Sequence, residues 1–348
     1  MIIIMKPNAT KKQVTTVIDR VKDIGLDVQI NQGEQQVVLG LLGDTRSVQD
    51  IAFRSYEGVD TTIRITNTYK LTSREFHPQN TVVDVEGMKI GDGNFITMAG
   101  PCSVEGLEQI RQTAQIAKMG GAQILRGGAF KPRTSPYAFQ GLEEEGLKYL
   151  RQAADEFGMK VITEVMDETH IDLVAQYSDI LQVGARNMQN FKLLTAVGKT
   201  GKPVGLKRGI SGTINEWLNA AEYVAVSGKS PVIFIERGIR TFEDATRNTF
   251  DLSAVPLIKK LSHFPIIVDP SHGTGVWDLV PPMARAGVAA GADGMIVEIH
   301  PDPENAWSDG QQSLNEKNYR QMMKEIQVLS SAMKEISSPQ ELTVRRER

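Results

Sequence analysis

Four residues with metal-binding side chains stand at or just beyond the ends of apolar runs in this sequence. They supply a thiol, an imidazole and two carboxylates: Cys102, His272, Glu298 and Asp309. Sulfur, nitrogen and oxygen donors together suit a divalent transition ion better than Mg²⁺ or Ca²⁺. A lone cysteine is also compatible with a small core residue, but Cys102 follows Gly100-Pro101, which indicates a turn. We therefore predict a site for Mn²⁺, Fe²⁺, Co²⁺ or Zn²⁺, and the sequence does not choose among them.

Positively charged side chains follow several other apolar runs. They are Arg126, Lys131, Arg133, Arg186, Lys207 and Arg237. Guanidinium forks bind carboxylates and phosphates through paired hydrogen bonds. Any single one of these charges could be a solvated surface group. Six at corresponding positions, in a chain of net charge −3, instead indicate a local positive pocket for a ligand with several negative charges.

The segment at 131–136 reads Lys-Pro-Arg-Thr-Ser-Pro. Its two prolines restrict the backbone, and Arg133, Thr134 and Ser135 can all donate hydrogen bonds to one phosphate. A proline-rich surface turn has the same composition. The spacing alone leaves both interpretations open.

The apolar runs that lead to these polar residues alternate with helical patterns along the chain. The runs are Phe95–Ala99, Ala122–Leu125, Val161–Thr163, Ile180–Val183, Pro203–Leu206, Val232–Ile235, Ile266–Val268 and Met295–Val297. The helical patterns cover Glu105–Lys118, Leu142–Phe157, Glu168–Gln176, Asn190–Gly198, Ile214–Val226, Leu252–Leu261, Leu279–Ala290 and Glu316–Ser330. Strand and helix alternating in this way predict an α/β fold, the (β/α)₈ TIM barrel, whose strands end at one mouth.

A doubly wound open sheet is the competing fold. It is disfavoured because no G-x-G-x-x-G follows the first run, and because it does not explain polar residues after every run. In a closed barrel the first, seventh and eighth strands are neighbours. The four candidate metal ligands would then meet on one side of the mouth.

Residues 1–66 show a different order of elements. The pattern predicts strands and helices at Ile2–Lys6, Lys11–Ile24, Asp27–Asn31, Val37–Leu42, Arg46–Tyr56 and Thr61–Thr66. This β-α-β-β-α-β order is typical of a small ferredoxin-like α+β domain. We expect residues 67–94 to form a linker and a hairpin that plugs the barrel, residues 95–331 to form the barrel, and residues 332–348 to form a disordered tail.

Composition excludes several classes of protein. At 348 residues with 41% hydrophobic residues and a net charge of −3, the chain has an ordinary globular balance and no polyanion-binding charge. Its single cysteine forbids an intrachain disulfide and fits a reducing compartment. No stretch approaches the roughly 18 apolar residues of a membrane span. We expect a cytoplasmic protein without nucleic-acid or membrane partners.

Several short motifs together resemble one enzyme family. They are Gly100-Pro101-Cys102-Ser103, Leu125-Arg126-Gly127-Gly128, Lys131-Pro132-Arg133-Thr134-Ser135, Gly184-Ala185-Arg186-Asn187, Leu206-Lys207-Arg208-Gly209, Asp269-Pro270-Ser271-His272 and Val297-Glu298-Ile299-His300. Between about Val82 and Ser330 the chain resembles 3-deoxy-D-arabino-heptulosonate 7-phosphate synthase (DAHP synthase), in its compact bacterial and archaeal subgroup.

The resemblance implies a TIM barrel that condenses phosphoenolpyruvate with D-erythrose 4-phosphate and water, the first step of the shikimate pathway to aromatic amino acids. It implies phosphoenolpyruvate binding by Arg126, Lys131, Glu164, Arg186, Lys207 and Arg237. It implies erythrose 4-phosphate binding by Lys131, Arg133, Thr134 and Ser135, and one divalent transition metal ion held by Cys102, His272, Glu298 and Asp309. Lys131, His272 and Asp309 are the candidates for catalytic proton transfer.

The N-terminal domain is similar to the ferredoxin-like, ACT-like domain that some members of this family carry. There the domain implies feedback inhibition by an aromatic amino acid, tyrosine or phenylalanine. A role in assembly alone is the alternative. We expect the chain to form a homodimer or homotetramer.

Three other functions stay open on sequence grounds. The related 3-deoxy-D-manno-octulosonate 8-phosphate synthase shares the barrel, but its loop reads Lys-Ala-Asn-Arg-Ser where this chain has Lys-Pro-Arg-Thr-Ser. A Schiff-base aldolase could use Lys207 or Lys131. A non-catalytic amino-acid sensor would not need the full set of metal and anion candidates.

Overall fold

The N-terminal residues adopt the predicted β-α-β-β-α-β order in the computed structural model, which describes residues 1–33, 36–43, 51–63, 68–91, 93–131, 137 and 139–337. The elements are β1 (Ile2–Met5), α1 (Lys11–Asp23), β2 (Asp27–Gln32), β3 (Val37–Leu42), α2 (Ile51–Arg54) and β4 (Val59–Ile63). The sheet is antiparallel with the order β2-β3-β1-β4. This is the expected ferredoxin-like plan. Residues 46–50 of the predicted second helix and residues 64–66 of the predicted last strand lie outside the described residues.

Local signals account for the first helix. Thr10 accepts a hydrogen bond from the backbone of Gln13, and the Gln13 side chain accepts one from the backbone of Thr10, which is a capping box. Gly25, with φ +79°, follows the helix and ends it in a left-handed conformation. The apolar face of the helix buries Val17 and Val21 in a core with Ile3 and other strand residues.

Residues 68–80 are grouped with the N-terminal unit in the structure. The structure divides into Met1–Asn80 with Lys260–His263, and Thr81–Lys259 with Phe264–Arg348. The ring of Phe76 is buried against Gly40, where an added Cβ would lie 2.4 Å from a ring carbon. The domain boundaries that we expect from the sequence stay a prediction.

The larger unit contains a short hairpin and the barrel. The hairpin pairs β5 (Val83–Val85) with β6 (Met88–Ile90). The barrel strands are β7 (Ile96–Gly100), β8 (Ile124–Arg126), β9 (Lys160–Glu164), β10 (Ile180–Val183), β11 (Val204–Lys207), β12 (Val232–Glu236), β13 (Ile266–Val268) and β14 (Gly294–Glu298). Within the described residues these eight strands form a closed parallel barrel, in which β14 pairs with β7. The predicted TIM barrel is confirmed.

Branched aliphatic side chains fill one end of the barrel. Val83, Val85 and Ile90 of the hairpin are buried in one cluster with Ile96 and Met98 of β7 and with isoleucines of six other barrel strands. The polar strand ends therefore lie at the opposite, C-terminal mouth, since every strand runs in the same direction.

Helices alternate with the strands at the predicted places. They are α3 (Leu107–Met119), α4 (Glu143–Glu156), α5 (Ile171–Tyr177), α6 (Phe191–Gly198), α7 (Ile214–Val226), α8 (Ala254–Leu261), α9 (Pro270–Thr274), α10 (Val280–Ala289) and α11 (Glu316–Ser337). We expect a loop around His272, and this expectation is wrong because α9 forms there. Asp269 caps α9 by accepting from the backbone of His272, and Pro270 occupies its first turn.

The last helix is longer than its sequence pattern predicts. Helix α11 continues to Ser337, so residues 332–337 are helical and not part of a disordered tail. Strong helix formers such as Met333, Lys334 and Glu335 account for the extension. Residues 338–348 lie outside the described residues. Among the helices that are described, none combines the length and apolar character of a membrane span.

Candidate active site at the barrel mouth

A polar cavity of about 250 Å³ occupies the C-terminal mouth of the barrel. Its lining comes from the ends of most barrel strands and the loops that follow them: Arg126, Lys131, Glu164, Gln182, Gly184, Ala185, Arg186, Lys207, Ile210, Arg237, Arg240, Arg247, Asn248, His272 and Asp309. All six residues predicted for phosphoenolpyruvate are in this lining. The cavity has seven Lys or Arg side chains against two carboxylates, Glu164 and Asp309. It is therefore suited to an anion.

Two guanidinium groups in this lining have nitrogen atoms without hydrogen-bond partners. They are Nε of Arg126 and Nη1 of Arg237, and both residues are about 95% buried. Among the described residues no acceptor reaches either atom. An unpaired buried donor on a charged group is costly, so these atoms indicate places for acceptor atoms of a bound anion.

Lys207 lies between the anion cavity and the predicted metal residues. Its ammonium group donates to Asp269 Oδ2 at 2.7 Å. Burial alone would raise the pKa of Asp269, but its close contacts with His272 and with the Lys207 ammonium group hold that pKa well below its usual range. Asp269 is consequently a buried carboxylate that is ion-paired to Lys207.

The next residue, Arg208, faces away from the cavity. Its Nη1 donates to Glu236 Oε2 at 2.9 Å and to Asp251 Oδ2 at 2.8 Å, and its Nε donates to the Gly212 carbonyl. Glu236 in turn accepts from the backbone of Gly238 at 2.6 Å. This buried network anchors the chain on both sides of Arg237.

Three of the four predicted metal ligands come together beside the cavity. Cys102 Sγ and one carboxylate oxygen each from Glu298 and Asp309 all lie within 4.8 Å of one another. The fourth, His272, is close to this triad, with Nε2 3.6 Å from Glu298 Oε1. A thiol, two carboxylates and an imidazole at these distances fit a divalent transition ion.

Protonation of these groups agrees with a cation site. Burial, and after it the Glu298 carboxylate, raises the pKa of the Cys102 thiol to about 11. Burial lowers the pKa of His272 even though the Asp269 carboxylate opposes the effect. Nδ1 of His272 lies 2.8 Å from Asp269 Oδ2, but it is not aligned for a hydrogen bond. The imidazole is thus neutral, and a divalent cation would convert the thiol to the thiolate that ligates metals.

Lys131 connects the two halves of the site. Its ammonium group lies 3.0 Å from Cys102 Sγ and 2.9 Å from the Cys102 carbonyl oxygen. The neighbouring erythrose 4-phosphate candidates Arg133, Thr134 and Ser135 lie outside the described residues. Their predicted role stays a prediction.

Glu164 is held against Gly184 on the other side of the cavity. Gln182 donates to Glu164 Oε2 at 3.3 Å. A Cβ built on Gly184 would lie only 2.1 Å from Glu164 Oε1. The absence of a side chain at Gly184 therefore makes room for this carboxylate at the cavity wall.

We expect Gly184→Ala to displace Glu164 and lower kcat/KM by about 100-fold, because small misplacements of cavity groups are costly. The matched control is Gly106→Ala, whose added methyl group meets no atom within 4 Å. Steady-state kinetics of both variants check this. Equal kcat/KM values for the two variants would show that the position of Glu164 does not matter.

His300 contacts Glu105, in the loop after β7, and the backbone of its own loop. Its Nε2 lies 3.3 Å from Glu105 Oε2, and its Nδ1 accepts from the backbone of Asp302. Glu105 also accepts from the backbone of Trp307 at 2.8 Å. His300 thus anchors the loop that carries Asp309.

Several cavity residues are missed by the sequence analysis. They are Gln182, Arg240, Arg247 and Asn248, together with Asp269 and Gln312 behind the cavity. Arg240, Arg247 and Asn248 lie in the long loop between β12 and α8. A loop that follows a barrel strand is a common place for functional residues. The residue pattern of this loop, however, does not distinguish Arg240, Arg247 and Asn248 from their neighbours.

Comparison with known proteins identifies the family. The sequence model of the DAHP synthetase I family matches residues 49–335. The chain belongs to the DAHP synthetase I family. A second model, the DAHP synthase ferredoxin-like domain, matches residues 1–67, which agrees with the fold of the N-terminal unit.

Relatives of this DAHP synthetase I family member support the same assignment. It is 51% identical to a phospho-2-dehydro-3-deoxyheptonate aldolase of Thermotoga maritima over 96% of this chain and 98% of the relative. The crystal structure of that DAHP synthase from Thermotoga maritima covers 95% of this chain and 97% of its own, with a TM-score of 0.77. A 2-dehydro-3-deoxyphosphooctonate aldolase of Acidovorax ebreus is 30% identical over 71% of this chain and 95% of its own length.

Proposed function

We propose that this chain condenses phosphoenolpyruvate with D-erythrose 4-phosphate and water to give 3-deoxy-D-arabino-heptulosonate 7-phosphate and phosphate. One observation carries the proposal. The unpaired buried donors of Arg126 and Arg237 and the Cys102-Glu298-Asp309 triad belong to one site at the barrel mouth. Such a site would bring together a polarised aldehyde and an enol phosphate that carries two anionic groups, a carboxylate and a phosphate.

Phosphoenolpyruvate would occupy the side of the cavity lined by arginines. Arg126, Lys207 and Arg237 are buried there, and Arg186 lies at the rim. Fixing both the carboxylate and the phosphate of this substrate lowers the entropic cost of joining two molecules. Glu164, on the same wall, would shape the site and limit its net positive charge.

Erythrose 4-phosphate would be bound by Lys131 and the segment 133–135. Lys131 is near Cys102, as described above, which supports a position between both substrates. Arg133, Thr134 and Ser135 would hold the aldose phosphate. The support for these three residues is the sequence motif.

Cys102, His272, Glu298 and Asp309 would hold one divalent transition metal ion. The chemistry that such an ion supplies is polarisation of the aldehyde carbonyl. The Cys102 thiol would lose its proton on metal binding, and the neutral His272 imidazole is already in the ligating form.

The reaction forms one carbon–carbon bond between the enol carbon of phosphoenolpyruvate and the aldehyde carbon. The aldehyde oxygen takes up a proton, for which Lys131, beside Cys102, is the candidate donor. Water then adds to the former enol carbon, and phosphate leaves with cleavage of its carbon–oxygen bond. His272 and Asp309 are the candidates for moving the protons of this water.

Removal of metal should abolish turnover. After treatment with EDTA we expect no phosphate release from phosphoenolpyruvate and erythrose 4-phosphate, and Mn²⁺ or another divalent transition ion should restore it. A coupled phosphate-release assay, with the five-carbon arabinose 5-phosphate as the competing aldose, measures both metal and substrate preference. Full turnover by rigorously metal-free enzyme would remove the metal from the mechanism.

The alternatives have less support. Sequence identity to a 2-dehydro-3-deoxyphosphooctonate aldolase, 30%, is well below the 51% to the Thermotoga relative.

A Schiff base at Lys207 is disfavoured because its ammonium group is ion-paired to the buried Asp269 carboxylate, and an ammonium group is not nucleophilic. Borohydride trapping with substrate would detect such an adduct. A non-catalytic sensor would show no phosphate release.

The N-terminal unit would bind an aromatic amino acid as feedback inhibitor. The support is its ferredoxin-like fold and the match of residues 1–67. We expect tyrosine or phenylalanine to inhibit the full chain and leucine to have no effect. A chain lacking residues 1–66 should keep its activity and lose the inhibition. If the full chain ignores aromatic amino acids, the unit is not their sensor.

We also propose a homodimer or homotetramer. Phe191 and Tyr223 stack at 4.5 Å on the outside of α6 and α7, and both are about 45% exposed. Such aromatic surface is suited to an interface. Light scattering in solution would give the subunit number.

A cytoplasmic location stays a prediction from the single cysteine.

A further inference from the structure

We infer that Gln312 and Arg247 are positioning residues for the two carboxylates of the metal site, Glu298 and Asp309. They would act through these ligands and not on the reacting atoms. The inference rests on the proposed metal centre and extends it to side chains that neither the sequence motifs nor the family resemblance assigns.

Gln312 is fully buried behind the metal site. Its Nε2 donates to Glu298 Oε2 at 2.6 Å, and its Oε1 accepts from Arg247 Nη1 at 2.7 Å. This amide has only one favourable orientation, because a flip would place its oxygen against a carboxylate and its NH₂ against a guanidinium group. Arg247 therefore sets the direction in which Gln312 donates.

Both oxygens of Glu298 are held as a result. Oε1 accepts from Arg126 Nη1 at 2.7 Å and faces His272, while Oε2 accepts from Gln312. Two donors on opposite oxygens fix the rotation of the carboxylate plane. Without Gln312 the Glu298 carboxylate would be free to rotate about its Cγ–Cδ bond. It would then no longer be directed at Cys102 and Asp309.

Arg247 also acts on Asp309 directly. Its Nη1 is 3.5 Å from Asp309 Oδ1, whereas the other oxygen of Asp309, Oδ2, is 3.2 Å from Cys102 Sγ. Asp309 has a positive φ of 52°, a conformation that non-glycine residues seldom adopt. The ion pair with Arg247 holds one oxygen away from the thiol and leaves the other directed at it.

The backbone around Arg247 is itself tied to the metal-site helix α9. The amide of Arg247 donates to Thr274 at 2.9 Å, and Asn248 Nδ2 donates to the His272 carbonyl at 2.8 Å. Gly275 provides the space for this contact, since a Cβ there would lie 2.4 Å from Arg247 Cβ. The loop after β12 thus contacts helix α9, which carries His272, as well as Gln312 behind Glu298 and the Asp309 carboxylate.

The experiment compares Gln312→Met with Gln311→Met in the full chain. Both replace an amide by an apolar side chain of similar size, but Gln311 is exposed. Competition with a chelator, without substrates, measures the dissociation constants for Mn²⁺ and Co²⁺. We expect Gln312→Met to weaken binding by roughly 10- to 100-fold and to weaken the thiolate-to-Co²⁺ absorption at subsaturating Co²⁺. Gln311→Met should bind like the unmodified protein.

A second pair tests the arginine. Arg240 and Arg247 both line the cavity, so Arg247→Lys and Arg240→Lys each remove one cavity guanidinium group. Only Arg247→Lys should weaken metal binding. For both Gln312→Met and Arg247→Lys, activity lost at low metal concentration should return at saturating metal, which a merely misfolded variant would not show.

The outcomes separate the inference from the proposed function. If the unmodified chain binds no divalent transition ion, the metal centre itself is wrong. If it binds one ion per chain and Gln312→Met binds as tightly as Gln311→Met, the metal centre stands and the positioning role is overturned. Thermal unfolding of the metal-free variants checks that each is folded.

Discussion

Replacing Cys102 with alanine is expected to remove metal binding and activity together. The thiol is 97% buried between Lys131 and the carboxylate of Asp309, and it supplies the sulfur donor of the proposed site. Loss of polarisation of the aldehyde is worth several kcal/mol of barrier, so we expect kcat to fall by roughly 1,000-fold. Metal content by elemental analysis and the phosphate-release rate measure the two effects on one preparation.

Ser103→Ala is the matched control for this experiment. Ser103 follows Cys102 in the chain and is fully buried, and its hydroxyl has no partner among the described residues. Removing an unsatisfied buried hydroxyl is close to neutral or stabilising. Ser103→Ala should keep its metal and its rate. If Cys102→Ala also keeps both, the thiol is a core residue and not a ligand.

Replacing Arg237 with methionine should cause the other large loss. This arginine is 95% buried, and its Nη1 has no acceptor among the described residues. Truncating one partner of a buried charge pair costs about 2–5 kcal/mol, which corresponds to roughly 30- to 5,000-fold in kcat/KM for phosphoenolpyruvate. The KM for this substrate should rise, whereas metal affinity should stay within about twofold because Arg237 is not among the triad's partners.

Two further variants make the result for Arg237 specific. Arg237→Lys keeps the charge but loses the fork that binds two oxygens, so its kcat/KM should fall between those of the unmodified and methionine proteins. Arg111→Met removes an exposed ion pair with Glu156 and should have little effect. An unchanged KM for phosphoenolpyruvate in Arg237→Met would contradict the assignment of this residue to the anion site.

Much of the architecture can be predicted from local sequence patterns. The alternation of apolar runs with amphipathic segments is readable because the strand and helix periods differ. The capping box at Thr10 and Gln13 has a recognisable local signature. The misplaced boundary of α11 and the unrecognised α9 are errors at element ends and in a five-residue helix, where local signals are weakest.

The missed residues of the site have a common physical cause. Arg247 and Gln312, which contact each other, are 65 residues apart in the chain. Contacts between residues so far apart in the chain produce no local periodic pattern from which they could be predicted. Arg247 in particular lies in an exposed loop whose residues look like ordinary surface charges until α9 and Gln312 are packed against it.

The sequence by itself determined the order of elements, the family and the polar residues that end the strands, because these depend on side-chain type and spacing along the chain. Only the tertiary structure decided which of the charged groups pair with one another and which keep unsatisfied donors. Lys207 is ion-paired to Asp269, whereas Arg126, although paired with Glu298, and Arg237 each keep one nitrogen atom without an acceptor. Closure of the barrel produces this difference, since it removes these groups from water and sets their distances in three dimensions.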